Sequence, residues 1–293
     1  MKKKNKLNQF ILIVFFSILC AMVIIPFLMI VSVSLSDEAD IVNYGYSLLP
    51  KTISTEAYKF VFRNPKTIID AYKTTIIFSV VATFLSVLLM AMCAFPLSQK
   101  KVRGRKGVSF YLFFTMLFSG GMVPSYILIT QYLHLNDTIW VYIIPGLISP
   151  WSVFMIRTFF SGLPEEIFES MEIDGANAYV MFFKTAMPLS KPVLATIALM
   201  TFLGKWNDWS TSMLYINNPE LYSLQYMLQR MMNNLKMVQE MASTSMASSM
   251  YADVPSETVR MAMAVVVAGP ALVIFPFFQK YFVKGLTVGS VKG

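Results

Sequence analysis

Charged residues, cysteine and histidine are all scarce in this chain of 293 residues. Charged residues make up 14% of it, whereas a typical soluble domain has roughly 25%. The sequence therefore predicts a protein whose main solvent is not water. Cys20 and Cys93 both lie in apolar stretches, so neither a disulfide framework nor a metal site is indicated. The single histidine, His134, is interpreted as a polar residue of a short loop.

Motifs of catalysis and ion coupling are also missing from the sequence. No Gly-x-x-x-x-Gly-Lys-Ser/Thr loop is present to hold nucleotide phosphates, and no nucleophile with a base and an orienting group can be assembled. Almost no ionisable residues fall inside the apolar stretches, which argues against an ion-coupled transporter. We therefore expect a chain that is not an enzyme and that itself binds neither a cofactor nor a metal.

Hydrophobic residues make up 56% of the chain and form six long stretches. A membrane-spanning helix needs about 20 apolar residues, so the sequence predicts an all-α integral membrane protein with about six transmembrane helices. The first stretch is too long for the apolar region of a signal peptide and is predicted to be a retained span. The predicted spans are Phe10–Leu35, Thr74–Leu97, Val108–Ile129, Ile139–Phe160, Val193–Trp206 and Met261–Phe282.

Proline and glycine predict irregularities in three of these spans. Pro26 is expected to bend the first span, because its ring removes a backbone donor. Pro145, Gly146 and Pro150 predict a break in the fourth. The fifth is expected to extend through Pro192 and Trp209.

The net charge of +8 would favour nucleic acid in a soluble protein, but here the basic residues cluster at the ends of apolar stretches. This is typical of cytoplasmic loops and predicts membrane lipid, and not nucleic acid, as the surroundings. The loop 131–137 lacks Lys and Arg and is placed outside, with both termini in the cytoplasm. The residues used for this orientation are Lys2, Lys3, Lys4, Lys6, Lys100, Lys101, Arg103, Arg105, Lys106, Lys280, Lys284 and Lys292.

The long segment 207–257 falls on the outer side in this arrangement. It contains apolar residues at helical spacing, which predict either an adaptable, methionine-rich binding surface or a lid packed on the bundle. These residues are Leu224, Met227, Leu228, Met231, Leu235, Val238 and Met241. Aromatic faces and hydrogen-bonding groups are combined at the outer end of the fifth span, in Trp206, Asn207, Asp208 and Trp209. They indicate either contact with a sugar or an interfacial aromatic belt.

Acidic residues concentrate in the stretch Ser161–Pro192, which the orientation places in the cytoplasm. Pro164 suits the start of a helix, and Gly175 suits a left-handed stop. The helix between them is predicted to be amphipathic, with acidic residues at 165, 166, 169, 172 and 174 and an apolar stripe of Leu163, Ile167, Phe168 and Met171. Anionic lipids repel such a helix, so a basic protein partner is favoured over an ordinary surface loop.

This stretch resembles the EAA loop of binding-protein-dependent ABC importer permeases, in which Glu-Ala-Ala is followed after three residues by Gly and after nine more by Ile-x-Leu-Pro. The chain has Glu169-Ser170-Met171, then Gly175, then Thr185-Ala186-Met187-Pro188 at the same spacing. It departs from the pattern at residues 170, 171, 185 and 187. Phe118–Pro124, Ile173–Asn177 and Val283–Gly293 look like the carbohydrate branch, and most like its complex-oligosaccharide subgroup.

The resemblance implies a type I ABC importer fold in a bacterial cell membrane. The implied partners are a second permease subunit, two ATPase subunits that bind ATP and Mg, and an external binding protein that delivers a sugar, expected to be an oligosaccharide. The expected layout is 1–70 for the tail, first span and first external loop, 71–283 for the core with the coupling loop 161–192 and the external loop 207–257, and 284–293 for a cytoplasmic tail. The alternatives are a permease for another solute and a polytopic membrane enzyme.

The same resemblance implies roles for individual residues. ATPase coupling is expected of Glu165, Ile167, Phe168, Glu169, Ser170, Met171, Asp174, Gly175, Ala176 and Pro188. Ile167, Phe168 and Met171 are expected to fill an ATPase groove, with Glu169 paired to a basic residue there. The tail residues Gly285, Thr287, Gly289 and Lys292 are expected to reach the ATPase. Substrate or binding-protein contact is expected of Trp206, Asn207, Asp208, Trp209, Met227 and Met231.

Overall fold

The structure is a computed structural model that describes the backbone of residues 2–244 and 257–290. Side chains are described over 9–238 and 257–272, and at residues 240 and 276. The described residues form helices without β-strands, in agreement with the all-α prediction. The helices are α1 Lys2–Ser34, α2 Glu38–Tyr44, α3 Glu56–Val61, α4 Pro65–Ser98, α5 Arg105–Leu117, α6 Met122–Ile127, α7 Trp140–Ile143, α8 Pro150–Ser161, α9 Glu165–Ile173, α10 Ala178–Met181, α11 Met187–Leu189, α12 Lys191–Trp206, α13 Ser210–Tyr215, α14 Leu224–Thr244 and α15 Glu257–Ser290.

Two helices of the described residues are long and apolar enough to cross a membrane, Gln9–Ser34 and Pro65–Ser98. Two bent pairs raise the number to four if each is one span. Arg105–Leu117 meets Met122–Tyr132 at 112°, and Ala178–Leu189 meets Lys191–Trp206 at 80°. The sequence predicted about six spans; of the other two, Ile139–Phe160 is divided into short helices, and the side chains of Met261–Phe282 are described only in part.

The fourth predicted span is broken, as its prolines and glycine predict. α7 ends at Ile143 and α8 begins at Pro150. Between them Gly146 has a φ of +77°, which a residue with a side chain rarely adopts. The Ser149 hydroxyl accepts a hydrogen bond from the N–H of Ser152 and so caps α8.

The fifth predicted span is shorter in the structure than the sequence predicts. α12 includes Pro192 as predicted, but it ends at Trp206 and does not continue through Trp209. The predicted span Met261–Phe282 lies on the backbone of α15, and most of its second half falls outside the described side chains.

The chain divides into two compact units, and the first comprises Met1–Ile68 and Leu228–Pro270. In this unit the Glu38 carboxylate accepts hydrogen bonds from the N–H groups of Glu257 and Thr258, each at 2.9 Å, and from the Thr258 hydroxyl at 2.6 Å. The first N–H groups of a helix lack partners within it, so Glu38 supplies the cap of α15 from a distant segment.

The second unit comprises Ile69–Met227 and Ala271–Gly293. One of its apolar clusters joins the end of α4 with α8, α9, a π-helical turn (Phe182–Ala186) and the start of α12. Phe95 of α4 lies 5.9 Å from Phe160, 6.0 Å from Phe168 and 5.5 Å from Phe182, ring centroid to centroid. This aromatic cluster fixes the position of α9.

Candidate functional site

The acidic helix α9 begins and ends where the sequence predicts. It starts directly after Pro164, and Glu165 and Glu166 occupy its first turn, where negative charge complements the helix dipole. At its other end Gly175 has a φ of +76°. The N–H of Ala176 reaches back to the carbonyl of Met171 at 2.8 Å. The left-handed glycine therefore ends the helix as expected.

One side of α9 is attached to its own chain. Phe168 is 6% exposed and packs in the aromatic cluster around Phe95. Met171 is half-buried, and its Sδ accepts a hydrogen bond from the Thr185 hydroxyl at 3.0 Å. Phe168 and Met171 were predicted to fill a groove in a partner. The structure corrects this for Phe168, which is buried in its own chain and holds α9 in place, whereas the role of the half-buried Met171 stays a prediction.

The other side of α9 is open and carries both acidic and apolar groups. Ile173 is 87% exposed, and Tyr179 on the following helix is 70% exposed. The residues exposed along this side of α9 and its end are Glu166, Ile167, Glu169, Ser170, Ile173 and Asp174. Sequence reasoning missed Ile173, although its spacing of four residues from Glu169 places the two side by side on a helix. We call Glu166, Glu169, Ser170 and Ile173, which follow one another at spacings of three and four residues, the docking face.

Two ion pairs attach α9 to the basic connection between α4 and α5. Lys100 Nζ lies 2.7 Å from the Glu165 carboxylate, and Lys101 Nζ lies 2.8 Å from that of Glu172. The hydrogen bond from Lys100 lowers the pKa of Glu165, and the hydrogen bond to Glu172 raises the pKa of Lys101. Solvent-exposed pairs of this kind contribute little stability. Among the described residues Glu169 makes no ion pair, so its charge remains available between them.

The remaining coupling-loop residues follow α9 closely. Ser170 is exposed and Ala176 is half-buried, while Pro188 lies in α11 beyond the π-helical turn. The tail residues Gly285, Thr287 and Gly289 lie on the backbone of α15, where side chains are not described, and Lys292 lies outside the described residues.

The residues predicted to contact a sugar at the end of α12 differ in their burial and in their hydrogen bonds. Trp206 is 1% exposed and stacks on Phe202 at 5.8 Å, so it belongs to the core and cannot touch a ligand. The Asp208 carboxylate accepts hydrogen bonds from the hydroxyls of Ser210 and Thr211 and from the N–H of Thr211, so it caps α13.

The other members of the set differ in exposure. Asn207 is exposed and accepts a hydrogen bond from Gln225 Nε2 at 2.9 Å, and Trp209 is exposed beside it. Met227 is buried, whereas Met231 is half-buried. The predicted helix over 224–241 is confirmed as α14, and the burial of Met227 agrees with packing and rules out ligand contact by that side chain.

A carboxylate also fixes the predicted outer loop 131–137. Asp137 accepts hydrogen bonds from the backbone N–H groups of Asn217 at 2.6 Å and Asn218 at 2.9 Å. The bond from Asn218, followed by that from Asn217, lowers the pKa of Asp137. Its own N–H reaches the carbonyl of Tyr215 at 3.0 Å, so the loop is held from both directions.

Comparison with known proteins decides the family. The chain is 37% identical to Protein LplC of Bacillus subtilis (strain 168), over 93% of this chain and 90% of that protein. It is 33% identical to the polygalacturonan/rhamnogalacturonan transport system permease protein YtcP of the same organism, over 99% of this chain and the whole of YtcP. This chain is a sugar ABC transporter permease. No family model matches it.

A solved structure agrees with this membership. The permease aligns with a chain of a bacterial ABC transporter involved in the import of the acidic polysaccharide alginate, with a TM-score of 0.80 and 27% identity, over 95% of this chain and 98% of that one. The predicted family is confirmed, and the permease is a protein of the cell membrane whose relatives are transport subunits. The exposed and buried sides of α9 can now be interpreted as parts of a transporter.

Proposed function

We propose that this permease forms a transmembrane pathway with a second permease subunit and passes an oligosaccharide delivered by an external binding protein. Two ATPase subunits bind ATP and Mg and supply the energy. The relatives support this assembly, because an ABC transporter needs an ATPase and this chain has no phosphate-binding loop.

The docking face of α9 is the surface we assign to the ATPase. The observation that carries this is the exposure of Ile173 and Glu169 on a helix whose opposite side is fixed by Phe168. An apolar side chain next to a free carboxylate suits a partly apolar, basic cleft. Closure of the ATPase pair would then displace α9 and the helices joined to it as rigid bodies. The tail from Gly285 to Lys292 is a second proposed contact.

For the topology we propose about six spans with both termini in the cytoplasm. Support comes from the pairs Lys100–Glu165 and Lys101–Glu172, because ion pairs between the α4–α5 connection and α9 require both segments to lie on one side of the membrane. The basic connection marks that side as cytoplasmic.

For the substrate we propose an oligosaccharide, with uronate-containing chains as the first to test. YtcP is named for polygalacturonan and rhamnogalacturonan, and the structural relative belongs to an importer of an acidic polysaccharide. The arabinooligosaccharide permease AraQ of Bacillus subtilis (strain 168), 26% identical to this chain, makes neutral oligosaccharides the second class.

Reconstitution tests this function. The permease with its partner subunit and ATPase in proteoliposomes is expected to take up labelled oligogalacturonate only when ATP and the binding protein are present. Arabino-oligosaccharide and a tripeptide serve as comparison solutes. Uptake without ATP, uptake of the tripeptide alone, or hydrolysis of a glycan or lipid by the isolated chain would contradict the proposal.

A further inference from the structure

One lysine, Lys205, lies in the last turn of the apolar helix α12 and is bound to backbone carbonyls. Its Nζ donates to the carbonyl of Tyr142 at 2.6 Å and to that of Pro145 at 3.2 Å. The Tyr142 carbonyl lies in the last turn of α7 and the Pro145 carbonyl in the break that follows, where carbonyl groups lack partners within a helix. Neighbouring side chains commonly satisfy such groups inside a membrane, and here Lys205 does so.

The position of this contact relative to α9 indicates a role beyond hydrogen bonding to two backbone carbonyls. α8 leads directly into α9. The chain then continues through α10, the π-helical turn and α11, and α12 begins after the 80° bend at Ser190. α8 and α12 pack against each other. With 12 and 16 residues they are about 18 and 24 Å long at 1.5 Å per residue. The break lies at the end of α8 that is remote from α9, and Lys205 lies at the corresponding end of α12.

We infer that Lys205 is a positioning residue that ties the end of α12 to α7 and to the segment leading into α8, so that these helices move as one body when α9 is displaced. Without this tie, a force applied to α9 would be lost in the irregular segment 144–149. The positive charge of Lys205 strengthens this contact, because a cation is stabilised at the C-terminal end of a helix and its hydrogen bonds to carbonyls are charge-assisted. The inference rests on the proposed role of α9 in receiving the force from the ATPase.

The test uses Lys205→Met, Lys205→Gln and Lys205→Arg in the complete importer in proteoliposomes. Each complex is measured for ATPase content, basal ATP hydrolysis, hydrolysis stimulated by the binding protein with oligogalacturonate, and uptake. For Lys205→Met we expect normal assembly and basal hydrolysis, with stimulation and uptake reduced about tenfold or more, because two charge-assisted hydrogen bonds are lost. Lys205→Arg, which retains charge and donors, is expected to keep most of the stimulation, and Lys205→Gln to fall between them.

A matched control is Lys236→Met, which removes an exposed lysine of α14. This change is expected to alter neither the stimulated ATP hydrolysis nor the uptake. Wild-type stimulation in Lys205→Met overturns the inference. So does a higher KM for oligogalacturonate with full stimulation at saturation, since that result assigns Lys205 to substrate binding. Failure of every Lys205 variant to assemble overturns it as well, because the lysine is then required for folding. A wild-type permease that binds no ATPase would instead refute the proposed function.

Discussion

Replacing Glu169 with lysine is expected to abolish ATP-driven uptake and leave the permease folded. Glu169 is exposed and makes no ion pair among the described residues, whereas Glu165 and Glu172 are already paired with Lys100 and Lys101, so the helix is expected to stay folded without it. Against a basic cleft the same change replaces attraction with repulsion. Loss of a charged partner in a desolvated contact costs about 2–5 kcal/mol, or roughly thirtyfold or more in affinity.

The measurement combines three readouts on one preparation: the thermal midpoint of the purified permease, the amount of ATPase that co-purifies with it, and oligogalacturonate uptake. Glu56→Lys is the matched control, since it reverses an exposed charge in the first turn of α3, outside the docking face, and is expected to leave the amount of co-purified ATPase unchanged. Normal uptake by Glu169→Lys would remove Glu169 from the coupling contact.

Truncating Phe168 to alanine is expected to lower the stability of the permease first of all, in contrast to Glu169→Lys, which is expected to leave it folded. The side chain is 6% exposed and fills the aromatic cluster around Phe95, so its removal leaves a cavity that costs about 3–5 kcal/mol. Because Phe168 is what fixes α9, uptake falls as well. Thermal unfolding of the purified permease, followed by tryptophan fluorescence, measures the change.

Ile173→Ala provides the contrast on the same helix. Ile173 is 87% exposed, so the thermal midpoint is expected to stay at the wild-type value while less ATPase co-purifies. An unchanged midpoint for Phe168→Ala, or a large loss of stability for Ile173→Ala, would show that the two sides of α9 have been assigned the wrong way round.

The limits of α9 could be predicted from the sequence because they depend on local chemistry. A proline before the first acidic turn and a glycine after the last one are sufficient to place a helix between them. Which apolar residues face the chain itself could not be predicted in this way. The helical period identifies an apolar stripe but not the surface that covers it, so Phe168 was assigned to a partner and Ile173, which lies outside that stripe, was missed.

The same reason explains the errors at the end of α12. Trp206 and Trp209 stand three residues apart in a polar and aromatic sequence, yet one is in the core and the other is exposed, because the helix ends between them. The role of Lys205 could not be predicted from the sequence, since a lysine at the end of an apolar helix usually extends its ammonium group toward water. Its acceptors, Tyr142 and Pro145, lie some 60 residues away, and only the fold brings them together.

The most direct test of α9 as the site of ATPase docking is photo-crosslinking from position 173 in the assembled importer. A photo-reactive amino acid in place of Ile173 is expected to form a covalent adduct with the ATPase subunit. The same amino acid in place of Leu49, which is 80% exposed in the connection between α2 and α3, is expected to form none. An active importer in which position 173 reacts only with lipid or with the binding protein, and position 49 reacts with the ATPase, would contradict the assignment of α9.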